Sequence, residues 1–142
     1  MPLTDAEQRF LNRQPRVHLA TIGSDGVPQV KPVGFTYNAT LGTIDITGFN
    51  MAASAKYRNV QANSKVSLVA DEVTEPTMEG AHFLEIRGRA EVASEPAIAD
   101  GHLAAEIIRV RPRRVISFNI DPNNTGFDAR DIADTQGPTA VA

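Results

Sequence analysis

Along the chain, apolar positions recur first with the period of a helix and then with the period of a strand. In "LTDAEQRFLNRQ", Leu3, Ala6, Phe10 and Leu11 fall at helical spacing, and Thr4 followed three residues later by Glu7 is a capping-box pattern, so a short amino-terminal helix is predicted. From there the period drops to two. "RVHLATI" is rich in β-branched residues and ends at "GSDG", whose Asp25-Gly26 pair signals a hairpin. "VPQVKPVGFTY" is then the return strand and "NATLG" the next turn. "TIDITGF" predicts a third strand, with Ile44 and Ile46 on one face and Asp45 and Thr47 on the other. A second helical stretch, "NMAASAKYRNVQANSK", precedes a fourth strand, "KVSLVADEV". In "HFLEIRGRAEVA", Leu84, Ile86, Gly88, Ala90 and Val92 alternate with Glu85, Arg87, Arg89 and Glu91. A polar link around residues 94 to 102 leads to the last strand region, "AEIIRVRPRRVISFNI".

These elements predict a mainly β fold: about six antiparallel strands, an N-terminal helix and one helix inserted between the third and fourth strands. Hairpin-like spacing favours a small barrel over a doubly wound sheet. The domain is expected to span residues 1–120. From Asp121 to Ala142 the chain is polar and rich in Asp, Asn, Gly and Pro, which predicts a loosely ordered tail.

Composition narrows the function. A net charge of −3 argues against a general nucleic-acid or anionic-membrane binder, although fourteen basic residues leave room for local positive patches. Cysteine is absent, which removes disulfides, thiolate metal sites and cysteine nucleophiles together. No apolar run is long enough to cross a bilayer, and the expected location is the cytoplasm. His18, His82 and His102 lack the spacing of a metal site. No dinucleotide fingerprint follows a strand, and no Ser-His-Asp ordering stands out from chance.

Three features hold candidate chemistry. The first is the start of the inserted helix, where Lys56 and Arg58 follow Ser54 almost at once. Cations there oppose the helix dipole, while the free amides of the first turn attract an anion, so a phosphate would satisfy both. The bland alternative is an exposed helix with solvated basic residues. The second is the pair Pro28 and Pro32 on one edge of the second strand, beside Lys31. Lacking N–H groups, they leave that edge incompletely laddered, either as ordinary edge protection or to admit a planar ring. The third is the cluster Arg109, Arg111, Arg113 and Arg114. By parity the first three should face solvent or a partner chain. Arg114 falls on the apolar side unless Pro112 introduces a bulge.

The succession "HLATIGSDGVPQVKPVGF", "SAKYRNVQANSKVSL", "EIRGRAEV" and "RPRRVISF" resembles the pyridoxamine-phosphate-oxidase-like flavin and deazaflavin proteins over roughly residues 5 to 120. Within that group it is most similar to small actinobacterial proteins that use the deazaflavin coenzyme F420. The resemblance implies a split β-barrel homodimer with two cofactor sites at the subunit interface. It implies a phosphate held by Ser54, Lys56 and Arg58, in a segment that includes Ala55 and Asn59. The second strand would line the tricyclic ring with Gln29, Val30, Lys31, Pro32 and Val33, and Gly48 and Phe49 would lie near the ring or its ribityl chain. Many flavin relatives carry Arg inside the Ser-x-Lys segment; Ala55 here favours F420 over FMN. The implied activity is hydride transfer between F420 and a small organic acceptor. An FMN-dependent oxidoreductase and a non-catalytic F420-binding or storage protein are the alternatives. No side chain is assigned a catalytic role, and no metal is implied.

Overall fold

The computed structural model describes residues 2–133. Its elements are α1 (Asp5–Asn12), β1 (Val17–Ile22), β2 (Pro28–Asn38), β3 (Thr43–Thr47), α2 (Ala55–Ala62), β4 (Lys65–Val73), β5 (Ala81–Ser94), β6 (Glu106–Phe118) and β7 (Phe127–Asp131). The capping box is formed: Thr4 N donates to Glu7 Oε1 at 2.9 Å and Glu7 N to Thr4 Oγ1 at 3.2 Å. Between β1 and β2 the chain reverses at Gly26, whose φ of 82° no β-branched residue would adopt readily.

All pairings are antiparallel, in the order β3-β2-β1-β4-β5-β6-β7, and a further β3–β6 pairing closes the first six strands into a barrel. Leu19, Ile44, Leu68, Leu84, Ile86 and Val110 point inward, and Phe10 and Leu11 of α1 pack onto the same core. Each such side chain removed from water contributes about 1.5–3 kcal/mol.

The barrel seam is short because β3 has five residues. Three pairs join it to β6, from Ile44↔Val110 to Ile46↔Ile108. Its pairing with β2 begins only at Gly34↔Thr47. Residues Pro28–Val33 therefore have β1 on one side and, among the described residues, no strand on the other. The matching gap on β6 is filled by β7, from Arg114↔Asp131 to Phe118↔Phe127. This corrects the expectation of a loose tail after Asp121. The segment "FDARD" has almost no apolar signal, but it meets an edge that β3 is too short to cover. Residues 134–142 of the expected tail lie outside the described residues.

The bulge suggested by Pro112 is present. Gly88 pairs with Pro112 and Arg87 with Arg114, so Arg113 is the extra residue. Downstream, Val115 and Ser117 turn inward, while Ile116 shares the outer side with Arg114. Gly88 is required here, because a Cβ at this position would sit 2.3 Å from the Arg111 carbonyl oxygen.

Arg109 departs from its expected exposure. Its Nε and Nη2 donate to Asp45 Oδ1 and Oδ2, both at 3.1 Å, and Nη2 also donates to Glu95 Oε1 at 2.6 Å. Only 11% of its side chain remains exposed. The Asp45↔Arg109 pairing places carboxylate and guanidinium side by side on adjacent strands, beyond the reach of parity within one strand. Arg111 pairs with Glu91, as a solvated face would predict, and Arg114 with Asp131.

Candidate functional site

Helix α2 lies across the barrel near the open stretch of β2. Ser54 caps it: Oγ accepts from Tyr57 N at 3.3 Å and donates to the Met51 carbonyl at 2.7 Å. The amides of Ala55 and Lys56 then have no intrahelical acceptor and stay available to a ligand.

Between this helix start and β2 is a cleft of about 220 Å³, lined in part by Gln29, Lys31, Pro32, Ser54, Ala55 and Lys56. Burial, and secondarily the nearby Lys31 ammonium, hold Lys56 below the usual lysine range. Neither lysine has an acidic partner among the described residues. The two cations repel across the cleft, and an anion placed between them would relieve that cost.

Six of the twelve residues singled out from the sequence therefore line one cleft. The others are placed differently. Val33 is in the core, and Val30, 62% exposed, faces the outside of the sheet. Gly48 anchors the loop after β5 through its carbonyl, which accepts from Ala104 N at 2.9 Å. Phe49 is 78% exposed beside it. Arg58 turns its guanidinium back to the Ala53 carbonyl, 2.9 Å from Nη1. Asn59 donates to Thr21 Oγ1 at 3.0 Å and Gln29 Oε1 at 2.9 Å. Thr21 and Leu19 also line the cleft, and sequence reasoning missed both. Inward parity on β1 was the available signal, but it could not separate a cleft from a core.

A roomier cavity of about 430 Å³ lies elsewhere, between α1 and the turn after β6. Its lining mixes both signs of charge, Arg9 and Arg13 with Glu79 and Asp121. Arg13 is paired with Glu72, and His82 Nδ1 lies 2.7 Å from the Asn119 carbonyl oxygen. Charge of one sign, more than volume, distinguishes the β2–α2 cleft, whose described ionisable lining residues are both lysines.

The pyridoxamine 5'-phosphate oxidase family model matches residues 3–122. The chain belongs to that family. It is 38% identical over 144 residues to the 5a,11a-dehydrotetracycline/5a,11a-dehydrooxytetracycline reductase of Streptomyces rimosus subsp. rimosus, covering 96% of this chain and 98% of that one. A solved structure named F420 reductase superposes with a TM-score of 0.60 at 26% identity, over 78% of this chain and 95% of its own. A conserved hypothetical protein from Mycobacterium tuberculosis shares the fold, with a TM-score of 0.68 at 19% identity over 95% of each chain. These relatives support an oxidoreductase of the family, built on its split barrel. No helix among the described residues is long and apolar enough to cross a membrane.

Proposed function

We propose that the protein is an F420-dependent oxidoreductase that transfers a hydride between the deazaflavin and a small organic acceptor. The observation that carries this reading is the cleft whose two lysines lack counter-ions among the described residues and whose helix start offers two free amides. That donor set fits a phosphate group. Lys56 and the amides of Ala55 and Lys56 would hold the phosphate, with Lys31 adding charge from the opposite wall.

The open stretch of β2 suits a planar ring. Alternate residues send their backbone groups to the same edge, so Pro28, Val30 and Pro32 share one, where Val30 alone has an N–H to donate. Carbonyl oxygens would accept from a ring N–H on either side of that donor. When bound, the deazaflavin supplies the carbon that carries the hydride. The chain's own residues bind and orient it, and the walls of β2 and α2 keep water from one side.

FMN, whose phosphate the same lysines could hold, defines the second reading. Homodimerisation, implied by the resemblance, would cover the outer sheet face that bears Val30 and the contacting ring pair Phe118 and Phe127; light scattering on the purified protein tests it. The deciding experiment is titration of the apo-protein with F420 and, separately, with FMN. Micromolar or tighter F420 binding with weak FMN binding supports the proposal, tight FMN binding promotes the second reading, and binding of neither removes both. The name of the Streptomyces relative makes a dehydrotetracycline the first acceptor to assay.

A further inference from the structure

We infer that Asn59 is a positioning residue that fixes the Gln29 side chain as a hydrogen-bond donor, so that the cleft selects an oxygen-rich, electron-rich edge of its ligand. Asn59 is on α2 and Gln29 on the unpaired stretch of β2. The Asn59 Nδ2 spends its two hydrogens on Thr21 Oγ1, at 3.0 Å, and Gln29 Oε1, at 2.9 Å. Thr21 is only 3% exposed, so one hydrogen of this nitrogen anchors the asparagine to the barrel wall while the other grips Gln29.

With its oxygen engaged, the Gln29 amide has Nε2 left to offer. That nitrogen is beside Gly23, where a Cβ would come within 2.6 Å of it, so the absence of a side chain at residue 23 gives the amide its room. Among the described residues the ionisable groups lining the cleft are Lys31 and Lys56, with no carboxylate beside them. Ser54 is already committed to the helix cap. The uncommitted polar heads of the lining are then donors: the Gln29 amide nitrogen, the Lys31 and Lys56 ammonium groups, and the O–H of Thr21, whose oxygen already accepts from Asn59. Such a site rewards carbonyl oxygens and oxyanions. A ligand presenting N–H groups to Gln29 and the lysines would leave donors facing donors, each losing its water without replacement.

This deepens the proposed function and rests on it: the edge recognised would be a carbonyl-bearing edge of the cofactor or acceptor. The test compares Asn59→Asp with Asn59→Ala. A carboxylate only accepts, so Gln29 must reverse its amide to bond it, and Oε1 then meets the ligand. Alanine merely releases Gln29. F420 affinity, read by fluorescence titration, should fall about 3-fold in N59A and about 30-fold or more in N59D. The added charge is removed from the comparison by repeating both variants in a Gln29→Leu background. There the gap between them should shrink by about tenfold. An unchanged gap would overturn the inference, because charge alone would then explain the loss.

A second readout needs no ligand. In the free protein, both Asn59 side-chain amide protons should exchange slowly by NMR, and the Gln29 amide signals should shift in N59D while the melting temperature holds. Fast-exchanging Asn59 protons would mean the opposite amide orientation and sink the idea. If neither F420 nor FMN binds the wild-type protein, the functional reading fails by itself, and these free-protein signals still decide how Gln29 is held.

Discussion

Two groups of cations in this molecule have opposite fates. On the β3–β6 seam, Arg109 is enclosed by Asp45 and Glu95, and nearby Thr43 Oγ1 and Asn38 Nδ2 donate to the same aspartate at 2.8 and 3.1 Å. Across the barrel, Lys31 and Lys56 share a cleft that has no carboxylate among the described residues. Arginine suits the first setting, because its planar fork can satisfy two carboxylates at once. Lysine suits the second, since a mobile point charge can meet a ligand that is not always there. A partnered cation is part of the fold; an unpartnered pair, kept close at a cost, is what the proposed binding site calls for.

The sharpest way to break this comparison is Asp45→Ala. It leaves Arg109 enclosed with one acid instead of two, and a loss of about 3–5 kcal/mol in unfolding free energy is expected from chemical denaturation. A loss below 1 kcal/mol would mean that the seam network does not hold the barrel. Lys56→Ala should do the reverse, leaving stability unchanged or slightly improved while F420 affinity drops by about 1.5–3 kcal/mol in a binding titration.

A pH series sharpens the second half. Because folding lowers the Lys56 pKa, the unfolded chain holds the extra proton between the lowered value and 10.5, and stability gains from this group as pH rises through that window. Ligand binding runs the other way: affinity for an anion should decline once pH passes the lowered value, before an ordinary lysine would lose its charge. Removing the neighbouring charge with Lys31→Ala should move that decline to higher pH. The smallest effect belongs to Arg111→Ala. Its pair with Glu91 is solvent-exposed, and a change under about 1 kcal/mol is expected from thermal unfolding.

Local signals in the sequence found the helices, the first six strands and the helix cap, since each is written within a few residues. Thr4 with Glu7 gave α1, Asp25-Gly26 gave the first hairpin, and Pro112 marked the bulge. What escaped was set by partners distant in the chain. Arg109 reads as a surface residue until β3 brings Asp45 beside it, sixty-four positions away. β7 reads as tail until the uncovered edge of β6 recruits it. In the cleft, Ser54 and Lys56 were legible from the helix start, and Lys31 from its place beside Pro32. The link from Asn59 to Gln29 was not, because it depends on how α2 crosses β2.

The extra residue at Arg113 has a consequence for comparing and editing this chain. Every position of β6 after it has the opposite facing from the one that counting from Val110 would assign. A relative without that residue, aligned here with no gap, would have its interior matched to this protein's surface from Val115 onward. Deleting Arg113 would remove the bulge itself and leave Arg114 and Ile116 on the outer side with Val115 and Ser117 inward, whereas deleting a residue further along β6 would turn the rest of the strand over. A single-residue gap placed at position 113 keeps such an alignment in phase, whereas one placed a few residues later scrambles the strand.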